Sequence, residues 1–171
     1  MGLAGYALDF VADIAPMMRS IAIFRVWKYH PSTRYRKTMS LNLSLLNTPP
    51  ADVDVDAVIA AVYEDGALSP AAQQLDKAAA GRISALIKSG DISGKAGCTA
   101  LLFALDGIKA QRVLLVGVGK AEKLDAGHFI KAATASVRAL RNGPIKRIHT
   151  ALPELQVKGR DHAWSLRQAA L

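Results

Sequence analysis

The chain has 171 residues, of which 51% are hydrophobic and 21% charged, and its formal net charge is +8. This composition is typical of a globular domain that buries a sizeable core, and it excludes a disordered chain. The single cysteine, Cys98, excludes an internal disulfide framework and any multi-cysteine metal site, and it fits a reducing compartment. Because Cys98 lies in the apolar run CTALLFAL, we expect it to be a small buried side chain.

The first 38 residues differ from the rest of the chain. Six basic and only two acidic residues lie in 1–38, so this segment carries half of the excess positive charge. Asp9 and Asp13 interrupt its apolar part, which is unlike a signal peptide, and its apolar runs are shorter than the ~20 residues of a spanning helix. We predict that residues 1–38 are an extension, either a non-native start or a poorly ordered segment, ahead of a domain at 39–171. A membrane-surface helix with a basic tail is the alternative.

From Met39 onward the strand and helix patterns begin. LNLSLL (41–46) alternates as a strand does, and DAVIAAVYE (56–64) is a continuous apolar run, typical of a strand buried on both faces. The pattern then predicts one helix, capped by Ser69, starting at Pro70 and stopping at Gly90. Its apolar face consists of Leu75, Ala79, Ile83, Leu86 and Ile87.

The second half continues the alternation. Strands are predicted at 98–105 and 111–119, followed by a helix at 126–142 that Asp125 caps and Gly143-Pro144 ends. A fifth strand is predicted at 145–152, and a last helix begins near Gly159. The apolar face of the 126–142 helix is predicted to be Ile130, Ala133, Val137 and Leu140. Together these patterns predict an α/β fold with a mixed sheet and helices on both of its faces.

The turn Gly117-Val118-Gly119-Lys120 raises the question of a phosphate-binding loop. A Walker loop needs a glycine where Leu114 stands and a Ser or Thr where Ala121 stands, and a dinucleotide fingerprint needs a glycine in place of Glu122. We therefore interpret the glycines as a tight strand-to-helix turn.

Other candidate sites also lack required residues. DVDVD (52–56) begins like a calcium loop, but Ala57 and Tyr63 stand where glycine and glutamate are needed, so we predict a solvated loop or the start of a strand. The four histidines, at positions 30, 128, 149 and 162, show no paired metal spacing. We predict no catalytic and no metal-ligating residue in this chain.

Basic residues form the one remaining signal. They begin on the polar side of the 126–142 helix and continue beyond it, and they suit contacts with the phosphates of duplex DNA, although a solvated helix face is the plainer interpretation. Trp164 is the only aromatic side chain nearby, which argues against stacking on single strands. The candidate DNA-binding residues are Lys131, Arg138, Arg141, Lys146, Arg147, Lys158 and Arg160.

Two stretches carry a family resemblance. VYEDGALSPAAQQLDKAAAGRISALIKSGDISGKAGCTALLF (62–103) and QRVLLVGVGKAEKLDAGHFIKAATASVRAL (111–140) resemble the N-terminal domain of bacterial leucyl (cytosol) aminopeptidases. The resemblance runs from about residue 41 to residue 155, and residues 1–38 have no counterpart in it. It implies a macro-domain-like α/β fold with a role in assembly or regulation of a hexameric, cytoplasmic metallopeptidase that releases N-terminal residues, preferentially leucine.

In that family a separate C-terminal domain holds two divalent metal ions, manganese or zinc, on Lys, Asp and Glu side chains, and these hydrolyse the peptide bond. Its motif NTDAEGR does not occur here, so no catalytic or metal residue is carried over. The resemblance implies a domain truncated at its C-terminal end, inactive alone and free of its own cofactor. Its partners would be the catalytic domain, other subunits and, as in some bacterial members, DNA, with no membrane. A macro-like fold also suggests an ADP-ribose-type ligand, but no residue pattern specifies one.

Overall fold

A mixed sheet forms the centre of the fold. The computed structural model describes residues 20–26 and 40–170, with the backbone alone for 20–26, 40 and 41. These residues form six strands in the order β2-β1-β6-β3-β5-β4, in which β3 is parallel to β5 and β6, and the other pairs are antiparallel. The strands are β1 Ser20–Val26, β2 Ser40–Leu46, β3 Ala57–Tyr63, β4 Thr99–Phe103, β5 Arg112–Gly119 and β6 Arg147–Thr150.

Helices cover both faces of this sheet, which confirms the predicted architecture. The helices of the described residues are α1 Pro70–Ala78, α2 Arg82–Lys88, α3 Ala126–Leu140 and α4 His162–Ala170, with 3₁₀ turns at Ala121–Lys123 and Leu152–Glu154. Leu75 of α1 and Ile83 of α2 are buried in the core on one face. Phe129 of α3 is buried on the other face, and its ring centroid lies 5.5 Å from that of Trp164 in α4. Because both faces are covered, β3 and β5 consist of nearly continuous apolar residues.

The single helix predicted from Pro70 to Gly90 is wrong, because the chain forms two helices with a break between them. Ala80 and Gly81 both adopt left-handed backbone conformations, with φ of 51° and 79°. The Gly81 amide donates to the carbonyl of Asp76 at 2.8 Å, and the Ala80 amide donates to that of Lys77 at 3.3 Å. These two bonds form a Schellman motif, which ends α1. The Asp76 carboxylate then accepts the amide of Ser84 at 2.9 Å and fixes the start of α2.

The predicted apolar face of α3 is also shifted. The buried residues are Phe129, Ala132, Ser136 and Leu140, whereas Ile130 is 46% exposed and Val137 is 65% exposed. The buried Ser136 hydroxyl donates to the Ala132 carbonyl at 2.9 Å, so the core accepts this polar side chain without an unpaired group. Asp125 caps α3 as predicted, since its carboxylate accepts the amide of His128 at 2.9 Å.

Strand β1 lies within the segment 1–38 that the sequence sets apart. Its backbone pairs with β2 on one side and with β6 on the other. The remainder of that segment lies outside the described residues, and its interpretation as an extension stays a prediction. Within the described part of the chain, none of the helices is both long and apolar enough to cross a membrane.

Candidate functional site

Gly117 and Gly119, predicted from the sequence to form a tight turn, lie at the end of strand β5, and their backbone groups are bonded within the protein. The Gly117 amide donates to the carbonyl of Cys98 at 2.8 Å, and the Gly119 amide donates to that of Gly94 at 2.9 Å. The Gly117 and Gly119 carbonyls in turn accept the amides of Gly97 and Glu64, each at 2.9 Å. A phosphate-binding loop needs free amides that point at the anion. The loop formed by residues 90–97 occupies that space, so the glycines have a structural role, but they belong to β5 rather than to a turn after it.

The N-terminus of α3 is likewise closed by the protein's own side chains. The Asp125 carboxylate caps the helix and lies 2.8 Å from Nδ1 of His128. Hydrogen bonds from the His128 amide and ring lower the pKa of Asp125, so the cap is an anion at neutral pH. An incoming phosphate at this helix end would meet a negative charge.

Each aspartate of the DVDVD run has a structural partner. Asp52 lies 3.7 Å from Nζ of Lys109, and Asp54 lies 3.6 Å from the guanidinium of Arg147. Asp56 accepts two backbone amides at the start of β6, at 2.7 and 2.8 Å. Burial raises the pKa of Asp56, but these two amides, together with the charges of Arg147 and Arg112, outweigh it, so the pKa lies below its usual value. The run leads into β3 and joins it to β6, as a strand start rather than a calcium loop.

The seven candidate DNA-binding residues do not share one surface. Arg147 begins β6 and Lys146 precedes it, at the end of the sheet where the parallel strands start. The Lys158 amide donates to the carbonyl of Leu124, which follows β5, so Lys158 lies near the opposite end of the sheet, where the parallel strands finish. The Arg160 guanidinium stacks over the Trp164 ring at 5.2 Å. The remaining three, Lys131, Arg138 and Arg141, are exposed along and just beyond α3.

Two of these cations line a common groove of about 600 Å³ between α3 and β4. Lys131, Thr134 and Arg138 form its helix side, and Gly97 and Thr99 form its strand side. Lys131 crosses the start of β4 closely, because a methyl group at Gly97 would lie 2.8 Å from Lys131 Cε. None of the groove residues is acidic. Sequence patterns missed this groove, since only the spacing of the α3 cations was visible in the chain.

Cys98 is exposed, so its prediction as a buried residue is wrong. The residue lies in a turn, with its amide bonded to the Lys95 carbonyl at 3.0 Å, just before the edge strand β4. An edge strand has a neighbouring strand on one side only, so the side chains in and next to it can be exposed even when its sequence is apolar.

Among the histidines of the described residues, His149 is the one whose side chain is completely buried. It lies on β6 between β1 and β3, and neither ring nitrogen has a hydrogen-bond partner among the described side chains and backbone. Burial lowers the pKa of His149 to about 4, so the ring is neutral at physiological pH. His128 donates its amide to the Asp125 cap of α3, His162 begins α4, and His30 lies outside the described residues.

Comparison with known proteins places this domain. Residues 59–171 match the model of the cytosol aminopeptidase family, N-terminal domain. A probable cytosol aminopeptidase of Xylella fastidiosa strain M12 is 47% identical over 133 residues, and one of Xanthomonas campestris pv. campestris strain B100 is 44% identical over 133 residues. Each alignment covers 78% of this chain but only 27% of the relative, so the chain spans about a quarter of the relatives' length.

Solved structures show a more distant similarity. The macrodomain of Mycobacterium tuberculosis DarG is 15% identical with a TM-score of 0.44, over 56% of this chain and 66% of that one. A mutant of tomato leucine aminopeptidase is 25% identical with a TM-score of 0.43, over 57% of this chain and 20% of that one.

Proposed function

The chain belongs to the cytosol aminopeptidase family, and from this premise we propose that it forms the non-catalytic N-terminal domain of a metal-dependent leucyl aminopeptidase. In this proposal the domain serves assembly or regulation of a cytoplasmic, hexameric enzyme. The match to the family's N-terminal domain carries the proposal. The internal hydrogen bonding of Gly117 and Gly119 supports it, because the amides that a nucleotide enzyme would direct at phosphate hold the loop 90–97 instead.

A two-metal centre does not fit the residues in hand. Across 40–170, no three His, Cys, Asp or Glu side chains come together in a way that holds a metal ion. In this proposal the two divalent ions, manganese or zinc, belong to the catalytic domain of the parent enzyme, and no step of hydrolysis is assigned to this chain.

A domain exchange tests the proposal. The corresponding N-terminal region of the Xylella relative, 47% identical over 133 residues, is replaced by residues 20–171 of this chain, so that β1 keeps its place between β2 and β6. Hydrolysis of leucine p-nitroanilide with manganese and the sedimentation coefficient are then measured for the chimera, the Xylella protein, and the Xylella protein without that region. We expect the chimera to assemble and hydrolyse the substrate, the deleted protein to fail in assembly or activity, and this chain alone to be inactive. Hydrolysis by the chain alone would refute the proposal, as would a deleted protein that assembles and works normally.

Binding of duplex DNA is the second candidate function, and it rests on the exposed cations of α3. Lys131 and Arg138 line one groove without an acidic neighbour, and Arg141 follows on the same helix. A 20-base-pair duplex would be titrated at several salt concentrations. If all three contact phosphates, changing them to glutamine should reduce the log–log salt slope by about 2.7, at ~0.9 per contact. The matched Lys158→Gln variant, at the end of the sheet where the parallel strands finish, should leave the slope unchanged. Binding that does not depend on the salt concentration would refute this candidate.

A further inference from the structure

Strand β4 ends the sheet and presents an open row of backbone groups. The Gly117 amide donates to the Cys98 carbonyl at 2.8 Å, and the Ala104 amide donates to the Gln111 carbonyl at 3.0 Å. In an antiparallel pair the bonded positions alternate, so the even-numbered residues of β4 bond to β5. The amides and carbonyls of Thr99, Leu101 and Phe103 therefore point away from the sheet. No residue in the described part of the chain pairs with them.

The groove lies beside this open edge. The side chain of Leu101 packs on the α3 side of the sheet, and strand residues two apart share a face, so Thr99 and Phe103 face the same side. Ala135 and Ala139 form part of the α3 wall, and their small side chains leave room for those of an added strand. Phe103 is 62% exposed at the far end of β4 and offers an apolar contact.

The charges along the groove select the occupant. Lys131 and Arg138 are seven residues apart on α3, which corresponds to about 10 Å along the helix. About three residues of an extended chain cover the same length at ~3.4 Å each. Because alternate side chains of a strand share a face, carboxylates two or four positions apart come within reach of the two flexible cations.

We propose that the β4 edge and the α3 groove bind an extended acidic peptide segment of another protein as an added strand. Its backbone pairs with Thr99, Leu101 and Phe103, and its alternate carboxylates meet Lys131 and Arg138. A second copy of this chain is a poorer occupant, because pairing of two β4 edges would bring two sets of these cations together. Duplex DNA is poorer too, because its phosphates can accept from the outward amides but have no donor for the outward carbonyls of β4.

The test measures binding of a fluorescein-labelled peptide, TVEVEVT, to the full 171-residue chain by anisotropy. Two matched peptides serve as controls: TVKVKVT reverses the charge, and a TVEVEVT peptide with alternate amides N-methylated along one edge loses its strand donors. We expect saturable binding of the acidic peptide, weakened roughly tenfold or more by either change. The effect of the N-methyl groups does not depend on the folding of any protein variant.

Protein variants locate the site. Thr99→Pro removes an outward amide at the first residue of an edge strand, a position that tolerates proline, and should weaken binding roughly tenfold. Lys131→Gln and Arg138→Gln should each weaken it several-fold, roughly the worth of a charge-assisted contact, whereas Lys158→Gln should have no effect. Circular dichroism confirms that each variant is folded.

Four results would overturn the proposal. One is equal binding of the acidic and basic peptides, and another is binding that N-methylation leaves intact. A third is duplex binding that needs Lys131 and Arg138, is unaffected by Thr99→Pro and excludes the peptide. The last is self-association that Thr99→Pro abolishes, because the edge would then pair with a second copy.

Discussion

At the boundary between α1 and α2, we predict that substitutions at two neighbouring positions change the free energy of unfolding in opposite directions. Ala80 holds φ of 51° at the position of the Schellman motif where glycine is usual. A left-handed conformation costs an L-residue about 1–2 kcal/mol, and glycine in its place loses roughly 0.5–1 kcal/mol through the extra freedom of the unfolded chain. Ala80→Gly should therefore raise the free energy of unfolding by about 0.5–1 kcal/mol. Gly81→Ala, at φ of 79°, should lower it by a similar amount.

Sterics do not complicate the second change, because a methyl group at Gly81 would meet no atom within 4 Å. Urea unfolding followed by circular dichroism gives both free energies, and thermal melts should shift by about 2–4 °C per kcal/mol in opposite directions. If Ala80→Gly is neutral or destabilising, the left-handed turn is not the reason that the helix ends there.

Three further changes probe the sheet and its loops. The free energy of unfolding should fall as the pH drops from 6.5 towards 4, because His149 binds its proton at a higher pH in the unfolded chain than in the folded chain. The expected loss is about 2 kcal/mol between pH 8 and pH 5. Urea midpoints for the chain and for His149→Gln measure this, and the same pH dependence in both would contradict it. Gly94→Ala should lower the free energy of unfolding by about 2–3 kcal/mol, because the methyl group would overlap the Tyr63 carbonyl. The control Gly127→Ala, in the first turn of α3, should change it by no more than about 1 kcal/mol, because its methyl group would meet only the Asp125 carboxylate, at 3.3 Å. Asp56→Ala should cost about 1–3 kcal/mol by leaving two amides at the start of β6 without their acceptor, and an unchanged urea midpoint would show that solvent replaces it.

Local patterns predicted the elements well where residue chemistry decides the conformation. The apolar runs of β3 and β5 identified strands covered on both faces, and Ser69 and Asp125 identified two helix starts that the structure confirms. The break at Ala80 was missed because alanine has the highest helix propensity, and the motif depends on backbone bonds rather than on the side chain.

The errors that matter for the site depend on contacts distant in sequence. The α3 segment contains two possible apolar stripes that share Leu140, and the packing of Phe129 on Trp164 favours the one that includes Ser136. The periodicity of apolar residues favoured the stripe with Val137, because serine is counted as polar even where, as at Ser136, its hydroxyl is hydrogen-bonded to the helix backbone. The exposed position of Cys98 and the open edge of β4 depend on the order of the strands, which no local pattern contains.

The parallel pairing of β3 has a consequence during synthesis. Its neighbours β5 and β6 follow it in the chain, and β6 ends at Thr150. At about 5–20 residues per second, the roughly 90 intervening residues take about 4–20 seconds to emerge from a ribosome. Strand β5 is complete about 55 residues after β3 and can pair with one edge of it, but for the whole of that time the other edge of the run AVIAAVY has no partner strand. The run has neither a charge nor a proline and is of the kind that aggregates. We therefore expect the nascent chain to depend on chaperones until β6 has been made, whatever the stability of the finished domain.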